Sequence, residues 1–542
     1  MATTLFFSFL GSLVICMALI PPLMASAGRL HILDVPRGRR MHAGAVAKVG
    51  GIALAVGTLI GVLMWGPKDA VAVASLLGGM TILLFGVWDD RVGLSYQTKF
   101  AGQALAVFFV MAFGGVQIGS LPVVPDEWLS AWIGFPLTFL MLIAVTNAVN
   151  LSDGLDGLAG GLSLISFAAM AYLAFQADDA FIMMIVVSVL GGLLGFLRFN
   201  SYPATIFMGD AGSQFLGFYL GVTGLMLTNP ARGPFSVMLA LFVWGLPLLD
   251  MLGVMIHRLR DGRSPFIGDR NHLHHKLLGM GYSHRKAVVL IYAGQVAMVA
   301  LGYGLRWQPD WVLAAVYLAV AGGVLFLFLR PIDWSRTDKV GQEPALWEGA
   351  GWLEARPRVA RLPVQCLGIA VTGFLLISVA MPTRISPDAG FVAAGLLLGA
   401  VAGAVLMRRL MPFWIRVALY LGSTFLLYFF EAGKDASAHM WIRPVDVFFV
   451  LVAALVVIVM RFNAAKQFET TPLDSLMLLL AVLLPFLPEL QVGEVNLSLL
   501  TAKLIVLFFA FELLLHAYAG RIVQAGMLAL WLLGGLTVRA WW

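Results

Sequence analysis

The sequence predicts an all-α polytopic membrane protein, with about 11 transmembrane helices in a first part and about 7 in a C-terminal extension. Three observations carry that prediction. Apolar residues make up 60% of the 542 residues and charged residues 12%, and the mean hydropathy is +0.91, which excludes an ordinary soluble protein. The apolar residues come in runs of about 15–22, close to the ~20 needed to cross a bilayer as a helix. Basic residues are sorted by loop: twenty-one follow odd-numbered runs, whereas the even loops hold only Lys68, Arg232 and Arg306. The positive-inside rule then puts the odd loops in the cytoplasm and the N-terminus outside. The net charge of +6 follows this bias and does not point to nucleic acid.

The first run, near 4–24, lacks a basic n-region and reads as a retained span rather than a signal peptide. Ten more follow near 49–66, 70–88, 100–114, 131–150, 158–176, 180–197, 212–228, 233–256, 287–304 and 311–330. Residues 331–363 mix charge, Pro, Gly and Trp and read as a cytoplasmic, interfacial linker. The extension, 364–542, has runs near 364–381, 390–407, 413–430, 444–460, 473–488, 501–519 and 524–538, with little charge bias and no motif that carries chemistry. Residues 1–330 thus form the first predicted part. Cys16 and Cys366 both lie in apolar runs, so neither a disulfide framework nor a cysteine zinc site is expected.

The chemistry-bearing clusters all fall on the predicted cytoplasmic face. Asp89-Asp90 ends the third run; adjacent acids raise each other's cost of ionising, and such a pair wants a cation. Asn147, Asn150, Asp153 and Asp156 recur every three residues, which stacks them along one side of a helix. Gly154 and Gly157 leave the backbone beside them open to a ligand. Asp210 in Phe207-Met-Gly-Asp210 precedes the eighth run, as a cap or as part of the same site. His272, His274 and His275 lie beside Arg270 and Lys276, which suits a polyanion better than zinc, since the matching cysteines are absent. Asp250 either holds Arg258 or Arg260 or supports the site, and Arg37-Gly-Arg-Arg-Met-His42 is a topology anchor or a lipid-headgroup contact. Asp178-Asp179, on the opposite face, reads as a turn. Four clusters on one face argue for a single membrane-surface site; a transport path would need polar residues at mid-membrane, where Glu512 is the main candidate.

Taken together, Leu33-Asp-Val-Pro36 with Arg40 and His42, Gly50-Gly51, Gly86-Val-Trp-Asp-Asp90, Asn147 to Gly157, Phe207 to Asp210 and Asp269-Arg-Asn-His-Leu-His-His275 resemble the polyprenyl-phosphate N-acetylhexosamine-1-phosphate transferases. The Asp-Arg-x-His-x-His-His form resembles the N-acetylglucosamine-1-phosphate branch; Ala45-Val-Ala-Lys48 departs from the family pattern, and Lys48 is left outside the core set. The resemblance covers about residues 1–330. It implies transfer of a sugar 1-phosphate from a UDP-N-acetylhexosamine to polyprenyl (undecaprenyl) phosphate with release of UMP, starting a cell-envelope polysaccharide at a bacterial inner membrane. It implies Mg²⁺, with Mn²⁺ as a substitute, and is compatible with a homodimer. On this expectation Asp156 and Asp210 bind the metal, and Asp89 and Asp90 face the lipid phosphate as catalytic groups. Asn150 and Asp153 hold the nucleotide sugar, while Arg270, His272, His274 and His275 contact its pyrophosphate. The alternatives are a lipid-linked sugar transporter or flippase and a non-catalytic assembly scaffold.

Overall fold

The computed structural model describes residues 2–34, 45–122, 124, 131–264, 271–329, 357–380, 411–432, 439–461, 491–492, 495–518 and 522–539, with isolated positions between 390 and 401 and between 471 and 481. The chain divides into two compact units, Met1–Gln342 with Thr471–Leu473, and Glu343–Thr470 with Asp474–Trp542. Both are helical. Among the described residues, nine helices are long and apolar enough to cross a membrane, and several shorter apolar helices accompany them, as expected of a multi-pass membrane protein.

The first unit contains α1 (Ala2–Leu30), α2 (Gly50–Trp65), α3 (Ala70–Val92), α4 (Tyr96–Ala112), α5 (Ala131–Leu151), α6 (Leu158–Gln176), α7 (Ala180–Asn200), α8 (Gly209–Leu227), α9 (Val237–Arg260), α10 (Leu273–Gly279), α11 (His284–Leu305) and α12 (Asp310–Leu329). A two-residue strand pair, β1 (Leu33–Asp34) with β2 (Val46–Ala47), precedes α2. Helix α8 is the core: every residue from Ala211 to Leu227 is buried, and α2, α3, α5, α6, α7 and α9 all pack on it. A helix apolar on every side belongs in the centre of a bundle. In lipid, where close van der Waals contact rather than water exclusion drives helix association, small residues at the crossings allow the approach.

Two such crossings clasp the first turn of α8. A Cβ on Gly51 of α2 would lie 2.2 Å from Gly212 N and 2.4 Å from Met208 O, and a Cβ on Gly86 of α3 would lie 2.4 Å from Ala211 Cα. The α2 amides of Gly50 and Gly51 donate to Phe207 O and Met208 O, each at 3.0 Å, and Phe207 N donates to Ala47 O at 2.9 Å. The backbone that delivers Asp210 is therefore held by main-chain bonds as well as by packing.

Helix α9 departs from the continuous ninth span of the sequence reading. Gly245 adopts φ 40°, ψ −125° inside it, two residues before Pro247. Such a break strands backbone polar groups where lipid offers no partner. Gln295 of α11, fully buried, meets both sides: its Oε1 accepts from Leu246 N at 2.9 Å, and its Nε2 donates to Val243 O and to Ser166 Oγ at 2.9 Å. The break redirects the half of α9 that carries Asp250. On the opposite face Asp179 is more than a turn residue. It caps α7 through Ile182 N at 2.9 Å and pairs with Arg232 at 3.0 Å.

The second unit contains α13 (Pro357–Ala380), α14 (Met411–Ala432), α15 (His439–Arg461), α16 (Leu497–Ala517) and α17 (Ile522–Arg539), with a two-residue strand pair, Gln491–Val492 with Val495–Asn496. Helix α13 begins inside the predicted linker, whose residues 331–356 lie outside the described residues, as do 402–407 and 482–488 of two predicted runs. Glu512, the acid expected deepest in a span, is met by Arg416 Nε at 3.4 Å and His516 Nε2 at 3.6 Å, and Tyr420 donates to it. Lys503 pairs with Asp446 at 2.6 Å. Both charge pairs tie α16 to its neighbours.

The clasp is open to a simple test. Gly51→Ala forces a methyl into the α8 backbone and should cost about 1–3 kcal/mol, read as a melting temperature lowered by several degrees in detergent. Gly304→Ala on α11, with no atom within 4 Å of the new methyl, should leave it unchanged or raise it slightly.

Candidate active site

The site is built on the amino end of α8. Met208 precedes the helix and Gly209 turns into it with φ +70°. A Cβ on Gly209 would lie 2.5 Å from the Asp90 carboxylate, so glycine is required there for space as well as for conformation. Asp90 spends both oxygens on the helix: Oδ1 accepts from Asp210 N and Oδ2 from Ala211 N, each at 2.9 Å. Its side chain is 1% exposed. A carboxylate at a helix amino terminus satisfies orphan N–H groups and complements the positive end of the helix dipole. Asp90, expected to face the lipid phosphate, is instead the cap of α8, because the α3–α8 crossing aims it at backbone amides.

Asp89 points elsewhere. Gly93, with φ +71°, closes the end of α3, and Leu94 N donates to Asp89 Oδ1 at 2.7 Å. The Lys99 ammonium of α4 contacts Asp89 Oδ2 and reaches Asp210 Oδ2 at 3.4 Å. Asn150, at the end of α5, donates to Asp210 Oδ1 at 2.6 Å and to Ser213 Oγ at 2.8 Å. Beneath it, Asn147 donates to Gln103 Oε1 at 2.8 Å, and Gln103 donates to Gln214 Oε1 at 2.9 Å. This amide chain links α4, α5 and α8 and gives Asn147 a supporting role.

The turn between α5 and α6 carries Asp153 and Asp156. It is fastened at Gly157 (φ +77°), whose N–H donates to Asn200 Oδ1 at 3.0 Å and whose carbonyl accepts from Tyr292 OH at 2.6 Å. Asp156 Oδ2 accepts from Ala204 N at 3.0 Å. This bond ties Asp156, expected to share a metal with Asp210, to the 200–206 turn. Asp153 takes the intermediate place: burial, then the charges of Asp210, Asp90 and Asp156, push its carboxyl up to about 7 against the opposing charge of Lys48. Lys48 itself lies 4.0 Å from Asp90.

The histidine segment folds over this turn as the short helix α10. His272 precedes it, and its Nδ1 lies 2.9 Å from Asp250 Oδ2, while Leu273 N donates to Asp250 Oδ1 at 2.7 Å. The His274 ring packs so closely that a Cβ on Gly154 would lie 2.2 Å from its Nε2. Burial, followed by the neighbouring His275, His272 and His284, pushes His274 down to about 3. It is therefore a neutral ring at neutral pH. His272 stacks on His274 at 5.7 Å, and the His275 ring lies tilted against His274 at 4.2 Å. His284 of α11 lies against Tyr202 at 4.4 Å, with Arg285 5.6 Å over the same ring. Arg270, Arg40 and His42 lie outside the described residues.

Five carboxylates (Asp89, Asp90, Asp153, Asp156 and Asp210) thus face two lysines, Lys48 and Lys99. Among the described residues no three His, Cys, Asp or Glu side chains form a ready metal cage. Carboxylates in excess of cations are the donor chemistry that Mg²⁺ takes, one or two at a time, with water and phosphate oxygens completing its shell. Lys99 and Gln103 were not singled out from the sequence. Lys99 was counted only as a topology marker, and nothing in the spacing says that it crosses 111 residues of chain to Asp210.

The profile of glycosyl transferase family 4 matches residues 72–228. The chain is 32% identical over 287 residues to the probable undecaprenyl-phosphate N-acetylglucosaminyl 1-phosphate transferase of Bacillus subtilis (strain 168), covering 53% of this chain and 80% of that one. It is 32% identical over 327 residues to the undecaprenyl-phosphate alpha-N-acetylglucosaminyl 1-phosphate transferase of Yersinia pestis (59% and 88%). It is 33% identical over 357 residues to the decaprenyl-phosphate N-acetylglucosaminephosphotransferase of Mycobacterium tuberculosis (strain CDC 1551 / Oshkosh) (58% and 87%).

The Asp153 environment sets a pH signature. A carboxyl whose folded pKa, about 7, exceeds the ordinary aspartate value of 3.8 favours folding below the lower value and loses that contribution as pH rises through the upper one. Without substrate or divalent metal, Asp153→Asn should gain stability over the parent as pH rises from 5 to 8. The gap in melting temperature should widen by roughly 2–5 °C. Parallel melting curves across that range would contradict the burial of a charge at Asp153.

Proposed function

The chain belongs to the polyprenyl-phosphate N-acetylhexosamine-1-phosphate transferases, and from that premise we propose that it transfers N-acetylglucosamine 1-phosphate from UDP-N-acetylglucosamine to a polyprenyl phosphate, releasing UMP. The observation that carries the reading is Asp210, held at the amino end of a buried helix between the Lys99 ammonium and the Asn150 amide. A lipid phosphate oxygen attacks the sugar-linked phosphorus, and the bond from that phosphorus to the UMP oxygen breaks. Two anions meet in this step, so charge compensation is the main task of the site. We assign Mg²⁺, with Mn²⁺ as substitute, to Asp210 together with the neighbouring carboxylates Asp153 and Asp156. When bound, the ion offsets phosphate charge and stabilises the oxygen that leaves with UMP.

The chain's own groups have distinct tasks in this reading. Asn150 fixes the rotamer of Asp210 by donating to one oxygen, and Lys99 neutralises the other. Asp89 is pinned by Leu94 N and Lys99, an arrangement that aims Lys99 at the reacting phosphates. A general base is not needed, because a phosphomonoester with a second pKa near 6 is already mostly dianionic at pH 7. Asp90 keeps the α8 amino end in place and touches no substrate. His272 and His275 reach the donor's pyrophosphate together with Lys48 and Arg270, while neutral His274 closes over the Gly154 side of the turn. The loop bias in basic residues supports a cytoplasmic site. A lipid-linked amino sugar made there is the starting unit for a cell-envelope polysaccharide.

The test uses purified full-length protein, undecaprenyl phosphate, UDP-N-acetylglucosamine and Mg²⁺, scored for UMP release. Turnover is expected, with loss on chelation and recovery with Mg²⁺ or Mn²⁺. Asp210→Asn should reduce kcat by about 10²-fold or more with expression intact. Full activity of that variant would refute its assignment, and a UDP-sugar panel that excludes N-acetylglucosamine would refute the donor.

A further inference from the structure

The transfer reading leaves Asp250 without a task, although it is an acid 7% exposed inside a membrane bundle. Its placement is elaborate. The break at Gly245, sealed by Gln295, turns the last half of α9 so that Asp250 meets the histidine segment. Both oxygens are then engaged: Oδ1 by Leu273 N at 2.7 Å and Oδ2 by His272 Nδ1 at 2.9 Å. His272 is itself 6% exposed, and its ring lies parallel to that of His274, 9° apart, next to Gly154 of the Asp153–Asp156 turn.

We propose that Asp250 is a positioning residue for the transfer reaction, which fixes His272 in the Nδ1–H tautomer and leaves Nε2 as the nitrogen that, once protonated from solvent, donates to the donor's diphosphate. The proposal rests on the transfer reading for its substrate, but its geometric part stands alone. A carboxylate with both oxygens accepting leaves Nδ1 only the donor's role. In a neutral ring the second nitrogen must then be the bare one. If Nε2 takes a proton from solvent, the resulting imidazolium is stabilised by the same carboxylate, and Nε2–H donates to a phosphate oxygen. The orienting partner of a working histidine commonly has this form, and its loss costs activity without loss of fold.

The Leu273 bond makes the consequence of one substitution definite. In Asp250→Asn the single side-chain oxygen is claimed by Leu273 N–H, which is a fixed donor. The amide NH₂ then faces Nδ1, which must become an acceptor, and the ring proton moves to Nε2. The experiment is histidine-selective ¹⁵N and ¹³C NMR on full-length protein in detergent, with the His272 signal identified by its absence in His272→Gln. The parent should show Nδ1–H for neutral His272 and Asp250→Asn should show Nε2–H. Alongside, Asp250→Asn should lower kcat by about 10- to 100-fold with the KM for undecaprenyl phosphate unchanged. The double variant with His272→Gln should be no slower than His272→Gln alone. An Nε2–H tautomer in the parent overturns the proposal without recourse to any variant. So does an unshifted tautomer in a folded Asp250→Asn, or rate losses that multiply in the double variant, which would mark Asp250 as merely structural. Absence of UMP release from the parent counts against the transfer reading, and the tautomer result is independent of it.

Discussion

The Asp90 carboxylate on the amino end of α8 is the contact on which the site depends. It joins the last turn of α3 to the first of α8 across 120 residues, by two bonds of 2.9 Å to successive amides. Both partners are charge-complementary, since the helix terminus carries a partial positive charge and water has little access to screen it. The glycines follow from this bond. Gly209 leaves room for the carboxylate, and Gly51 and Gly86 let α2 and α3 approach the same turn at backbone distance. Asp210, the next residue, is thereby placed with its main chain fixed from behind and its side chain free to face Lys99 and Asn150.

A second constraint is that polar backbone inside a bilayer needs a protein partner. The chain meets it in two ways. At the membrane surface, turns are fastened by side chains from distant helices, as Asn200 and Tyr292 fasten Gly157. Within the bundle, the one amide of Gln295 serves the N–H and C=O exposed by the break in α9. The same economy holds in the second unit, where Glu512 and Lys503 of α16 each have an opposite charge from a neighbouring helix. Ionised groups in a span are tolerable when paired in this manner, so acids in that unit do not by themselves make a transport path.

How much of this was legible in the sequence depends on the range of the interaction. Hydropathy and loop charge are local sums, and they located the helices, their number in the first unit and the face on which Asp89, Asn150, Asp153, Asp156, Asp210 and the histidines gather. The motifs likewise identified the family. Partner choice was not legible. Nothing near Asp90 says that it will cap a helix rather than meet a phosphate, because its partners are main-chain amides 120 and 121 positions away. Lys99 and Gln103 carry no local signal, since one lysine and one glutamine in a helix are ordinary. Gly245 and Pro247 were visible, but an apolar run reads as continuous until the groups stranded by the break are counted.

The crowding of carboxylates gives these pieces a common logic. Asp90 is satisfied by amides and Asp89 by Lys99 and Leu94 N, so neither draws strongly on an added cation. Asp153 differs: the charges of Asp210, Asp90 and Asp156 outweigh the opposing charge of Lys48. The deficit of positive charge is therefore concentrated between the α5–α6 turn and the amino end of α8. A divalent ion arriving with a diphosphate would be held best in that gap, and the closing histidines lie on the side of the turn where Gly154 admits them. On the proposed reading, an ion and substrates bound there would offset this imbalance where two phosphates are brought together.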